Sequence, residues 1–142
     1  MQTIISTSII FLCFNFLTLI PLYQSRFLFH RCINGNYTSN STYQTNLESV
    51  LSSLVPATTT TTAYGFFNRS AGQPPDTVNA IALCRGDADL DICRSCINDA
   101  DASARDLCPN RKGAMVWYDD CMLRYSDDAI LRNLDSSNGG FI

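Results

Sequence analysis

Three cysteines share one short stretch, LCRGDADLDICRSCINDA at residues 83–100: Cys84, Cys93 and Cys96, with gaps of eight residues and then two. Thiols in such a pattern can hold a metal, run a dithiol–disulfide exchange, or form structural bridges. Zinc requires a tetrahedral set, usually built from paired Cys or His spacings on both sides of a loop. Cys93-Arg-Ser-Cys96 is the one such pair, and His30 is the sole histidine, so no metal and no cofactor is expected. A redox dithiol belongs in a βαβ context, which the sequence does not offer. Structural disulfides are the reading that survives.

Whether thiols become bridges depends on the compartment. Residues 1–25 carry no charged side chain, and every Lys, Arg, Asp and Glu lies after Ser25. The run IISTSIIFLCFNFLTLIPLY has the length of a secretory h-region. It lacks a basic flank beyond the α-amine, and YQS, ending at Ser25, is the best available cleavage site. A run of this length also approaches a membrane anchor. The expectation is a signal peptide at 1–25 and a secreted, extracellular protein. Three N-x-S/T sequons agree with it, at Asn36, Asn40 and Asn68, in segments read as loops or element ends. Cys13 leaves with the leader. Cys32, Cys84, Cys93, Cys96, Cys108 and Cys121 remain, an even set that implies three bridges. Spacing leaves their pairing open.

The elements that must position these cysteines follow from periodicity. Without its leader the 142-residue chain has the size of one domain with a real core. NSTYQTNLESVLSSL opens on possible N-caps at Asn40, Ser41 and Thr42. Its Tyr43, Leu47, Val50, Leu51 and Leu54 recur at helical period, and Pro56 with Thr58–Thr62 ends it. A second helix begins near Asp91, with Cys93, Cys96, Ile97, Ala100, Ala104 and Leu107 on one face and Pro109 after it. FLFHRCI, AYGFFNRSAG, TVNAIALC and two short segments around Asp119-Asp120 read as strands, with QPPD as a turn. This order suggests an α+β fold, with helices on one face of an antiparallel sheet.

Charge excludes some functions. A net charge of −3 with scattered signs gives no basic face for nucleic acid. DADLD lacks the glycine and distal glutamate of a calcium loop. No second apolar run follows the leader, so no membrane span is expected after it. Residues 133–142 read as a polar tail.

C-x8-C-x2-C, with YGFFNRSAGQPPDTV before it and CPNRKGAMVWYDDCMLRYS after it, resembles the plant ginkbilobin-2-homologous (DUF26, salt-stress/antifungal) domain. The resemblance runs from about Phe27 to Arg132, placing the domain at 26–132. In style it is that of cysteine-rich repeat secretory proteins and cysteine-rich receptor-like kinase ectodomains. It implies two helices packed on a five-stranded antiparallel sheet, with bridges Cys32–Cys108, Cys84–Cys93 and Cys96–Cys121. Sugar-binding members bind mannose through an Asn, an Arg and a Glu at positions that hold Ile33, Met115 and Ser126 here. None matches, although Asn34 and Asp127 stand one residue away. A sugar site that loses its convergent polar groups loses affinity heavily.

The resemblance therefore points to an apoplastic, non-catalytic binding module of plant stress or defence. Its partner, a protein or a cell-wall glycan, stays open, with a mannose-type antifungal lectin as the alternative. An enzyme is not expected: His30 beside Cys32 reads as structural, and Arg85-Gly86-Asp87 as the loop after Cys84. Secretory relatives carry two copies of the domain, whereas one is found here.

Overall fold

The structure is a computed structural model, and it describes residues 23–57 and 65–130. Five strands and two helices alternate as β1 (Phe27–Asn36), α1 (Thr42–Ala57), β2 (Phe66–Ala71), β3 (Val78–Cys84), α2 (Leu90–Leu107), β4 (Arg111–Tyr118) and β5 (Cys121–Ser126). The strands form one antiparallel sheet in the order β1-β4-β5-β3-β2. Both helices pack on one face of it.

Helix α1 forms because its apolar residues share a face and its first turn is capped. Ser41 Oγ accepts from the Gln44 N–H at 3.3 Å, and Gln44 Oε1 accepts from the Asn40 N–H at 2.7 Å. Tyr43, Leu47, Val50, Leu51 and Leu54 are all buried, each contributing roughly 1.5–3 kcal/mol on full burial. The helix does not stop at Pro56 but includes it. Proline fixes a φ that a helix accepts. The run Thr58–Thr62 lies outside the described residues, as do the apolar run before Leu22 and the tail at 133–142.

Helix α2 starts at Leu90, three residues past the end of the RGD tripeptide. Asp89 Oδ1 accepts from the N–H groups of Asp91 and Ile92 at 3.0 and 2.9 Å, satisfying two otherwise orphaned donors. Cys93, Cys96, Ile97, Ala100 and Ala104 are buried as the periodicity requires, but Leu107 is 43% exposed. In the last turn the inward position is taken by Ala104 and the capping Cys108, both buried, and Leu107 points aside from it.

Every bridge joins α2, or the cap that closes it, to a different strand. Cys84–Cys93 holds the end of β3, Cys96–Cys121 the start of β5, and Cys32–Cys108 the middle of β1. The helix is stapled to the sheet at three separate places. Three tyrosines enter the helix side of the sheet with their hydroxyls satisfied. Tyr43 donates to Lys112 O at 2.6 Å, Tyr125 to Arg111 O at 3.2 Å, and Tyr118 pairs with Ser103 Oγ at 2.7 Å.

The QPPD turn carries a hydrogen bond from Asp76 N–H to Gln73 O at 2.8 Å. Asn46 on α1 donates to Asp76 O at 2.8 Å and so ties this turn to the helix. Gly72 at φ +83° lets the chain pass beneath Asn46, where a Cβ would collide with its side chain.

Candidate functional site

Side chains alternate across a strand, so pairing register sorts the face away from the helices into rows. One row crosses all five strands: Phe29, Trp117, Met122, Leu83 and Phe66, each opposite the next. The Phe29 and Trp117 rings stand 5.3 Å apart. Phe29 is 55% exposed, Leu83 38% and Phe66 37%, so the row is an apolar strip on a sheet face that no helix among the described residues covers. Ile130 folds back over Ile81 and Met122 and covers part of it.

The next row reads Arg31, Met115, Arg124, Ile81 and Asn68. Among the described residues neither arginine has a carboxylate within ion-pair distance. Arg124 Nε is buried without a hydrogen-bond partner. Two guanidinium groups thus flank Met115 beside the apolar strip.

A third row holds Ile33, Gly113, Ser126, Asn79 and Ser70. Ile33, Met115 and Ser126, scattered in sequence, therefore meet around Gly113. Ile33 lies over Gly113, where a Cβ would overlap its Cγ1. Ser126 is buried, and its Oγ accepts from Asn34 Nδ2 at 2.9 Å and from the Asp128 N–H at 3.0 Å. Asn34, held at φ +62°, donates to Asp127 Oδ1 as well. Both amide hydrogens of Asn34 are thereby committed within the protein.

The far end of the sheet carries a second polar cluster, which sequence reasoning missed. Asp120, in the β4–β5 turn, is 2% exposed. Its Oδ2 accepts from the Tyr23 hydroxyl at 2.7 Å and the Ser25 hydroxyl at 2.8 Å, and Arg85 Nη1 lies 3.5 Å from Oδ1. Burial alone pushes this carboxyl up, but the two hydroxyls and the Arg85 guanidinium outweigh it and hold the group below its ordinary value. The same contact raises the Tyr23 phenol. Arg26 N–H donates to Asp119 Oδ1 at 2.7 Å, and Asp119 N–H to Arg26 O at 3.0 Å. Tyr23 and Ser25 fall within the stretch read as leader, which concealed their role. The Asp119-Asp120 pair between two strands was the available signal.

Other candidates resolve locally. Arg85 and Asp87 pair with each other through two guanidinium nitrogens, so the RGD tripeptide is closed on itself. His30 packs its ring 6.0 and 6.4 Å from Phe27 and Phe29. Cys32, Cys84, Cys93, Cys96, Cys108 and Cys121 are all bridged, and the described residues contain no cluster of three metal-ligating side chains. No helix among them is long and apolar enough to cross a membrane. Of the sequons, Asn36 ends β1 and Asn40 lies in the following loop at φ +60°. Asn68 is different: it lies inside β2, not at an element end, because the strand runs from Phe66 to Ala71.

Helices confined to one face, three bridges radiating from α2 and a sheet face left open by the described residues define a cysteine-rich α+β module. Residues 31–128 match the family model described as salt stress response/antifungal, and the chain belongs to that family. It is 44% identical over 120 residues to cysteine-rich repeat secretory protein 38 of Arabidopsis thaliana, covering 81% of this chain and 45% of that protein. It is 39% identical over 112 residues to an antimicrobial ginkbilobin-2-like protein of Castanea crenata, covering 78% and 45%. Its fold matches the tandem DUF26 ectodomain of the Arabidopsis thaliana cysteine-rich receptor-like protein PDLP5 with a TM-score of 0.69 at 31% identity, covering 75% of this chain and 52% of that one. The chain spans about half the length of these relatives.

Proposed function

We propose that this chain is an apoplastic, non-catalytic binding module of plant stress or defence that docks a protein partner on the open face of its sheet. The observation that carries this reading is the strip Phe29–Trp117–Met122–Leu83–Phe66 beside two arginines that lack a carboxylate partner among the described residues. An apolar strip beside cations suits a protein surface that offers apolar side chains and carboxylates. Secretion fits relatives that are a secretory protein and a receptor-like ectodomain.

The lectin alternative draws on the antimicrobial relative. Against it stand Ile33 and Met115 in two of the sugar positions, a buried Ser126 in the third, and an Asn34 already bonded to Ser126 and Asp127. The test pairs two measurements. Calorimetric titration with mannose should give no heat of binding. Apoplastic wash proteins retained by the immobilised protein should be lost on Phe29→Ser with Arg31→Glu and should not be released by mannose. Mannose binding that disappears on Asn34→Ala would overturn the protein-partner reading in favour of the lectin.

A further inference from the structure

We propose that Asn68 carries an N-linked glycan whose first N-acetylglucosamine packs on Phe66 and covers the β2 end of the open face. Asn68, Arg69 and Ser70 form the sequon, and β2 is an edge strand of the sheet. Register puts Asn68 opposite Ile81 and Phe66 opposite Leu83, so Asn68 and Phe66 share the open face two residues apart. Side chains at that spacing stand about 7 Å apart, within reach of a sugar ring linked through the amide. Phe66 is 37% exposed, and no residue of its own row covers it.

The Asn68 amide has no hydrogen-bond partner among the described residues, whereas Asn36 Oδ1 accepts from Arg111 Nη1 at 3.3 Å. Beside Asn68 lies a depression of about 260 Å³, lined by Ser70, Asn79, Ile81 and Ile130 among others, so none of the described residues crowds the amide. A pyranose presents a face of C–H groups that packs on an aromatic ring as an apolar surface does. The glycan would then shield Phe66 and Leu83 and leave Phe29, Trp117, Arg31 and Arg124 as the end that a partner reaches.

The inference rests on passage through a secretory pathway. There a lipid-linked oligosaccharide diphosphate supplies the sugar. The Asn68 amide nitrogen bonds to its anomeric carbon, the carbon–oxygen bond to the diphosphate breaks, and the amide proton leaves with the lipid diphosphate.

The experiment uses the whole chain secreted by plant cells treated with a mannosidase inhibitor, so that an endoglycosidase trims each glycan to one N-acetylglucosamine. Peptide mass spectrometry should find Asn68 occupied. In an Asn36→Gln, Asn40→Gln background, the trimmed protein should melt a few degrees above its Asn68→Gln counterpart, roughly what one aromatic contact is worth in a domain of this size. With Phe66→Leu, which keeps apolar bulk but no ring, that difference should vanish. An undiminished difference with Phe66→Leu overturns the proposal. So does an empty Asn68 beside an occupied Asn36 or Asn40, which leaves secretion standing. Three empty sequons would remove both the proposal and the secretory reading.

Discussion

Asp120 concentrates the electrostatics of the fold in one buried carboxylate. Its pKa is held below the ordinary value, so its contribution to stability is present above the usual carboxylate pKa of about 4. That contribution is lost as pH falls through the lowered folded value. Tyr23 has the opposite sign: its raised phenol contributes below about pH 10 and is lost as pH rises further. Chemical denaturation across pH should therefore show an acid limb and an alkaline limb. Asp120→Asn should flatten the acid limb, and it should cost about 1–3 kcal/mol at neutral pH because the buried Ser25 hydroxyl and the more exposed Tyr23 hydroxyl lose their charged acceptor. An acid limb unchanged by Asp120→Asn would place the sensitive group elsewhere.

At the scale of elements, α2 is the organiser, because all three bridges end on it or on its cap. On the chain-entropy account a bridge stabilises more as the loop it closes lengthens. Cys32–Cys108 spans 76 residues, Cys96–Cys121 spans 25 and Cys84–Cys93 spans 9. Replacing the first pair by serine should cost about 4–5 kcal/mol and the last about 2–3 kcal/mol, so denaturation midpoints should fall in that order. Reversal of the order would mean that native packing around Cys84–Cys93, not loop closure, sets its worth. Asp89→Ala removes the acceptor for two helix donors and should cost about 1 kcal/mol, read from the same curves.

Across the whole molecule, the N-terminal segment belongs to the folded domain. Tyr23 and Ser25 close over Asp120, and Arg26 exchanges two hydrogen bonds with Asp119. Cleavage after Ser25 would strip Asp120 of both hydroxyls and leave it only Arg85, which is already paired to Asp87. We expect the secreted protein to begin at or before Tyr23. N-terminal mass analysis decides this, and a first residue at Arg26 would refute it. The same sample, alkylated without reduction, should gain no label on any of the six bridged cysteines.

The sequence by itself determined which segments are helices and strands. Alternation and helical period write burial directly into residue order, as in Tyr43–Leu54 of α1 and Cys93–Ala104 of α2. It also pointed to the bridged, cysteine-rich character, because an even set of cysteines after an apolar N-terminal run is a local property of the chain. Leu107 and Pro56 escaped this logic. In the last turn of a helix, where Cys108 and not Leu107 takes the inward place, or where a proline sits, the local pattern no longer reports the surroundings. Strand order was not legible at all, since β3 pairs with β5 across the whole of α2 and nothing in either strand names the other. That pairing places Leu83 beside Met122 and completes the apolar strip. It also sets Ser126 beside Asn79, in the row that Ile33 joins from the other edge. Only the tertiary structure could decide these neighbours, because a row across a sheet gathers one residue from each strand, and register is a property of pairs of segments.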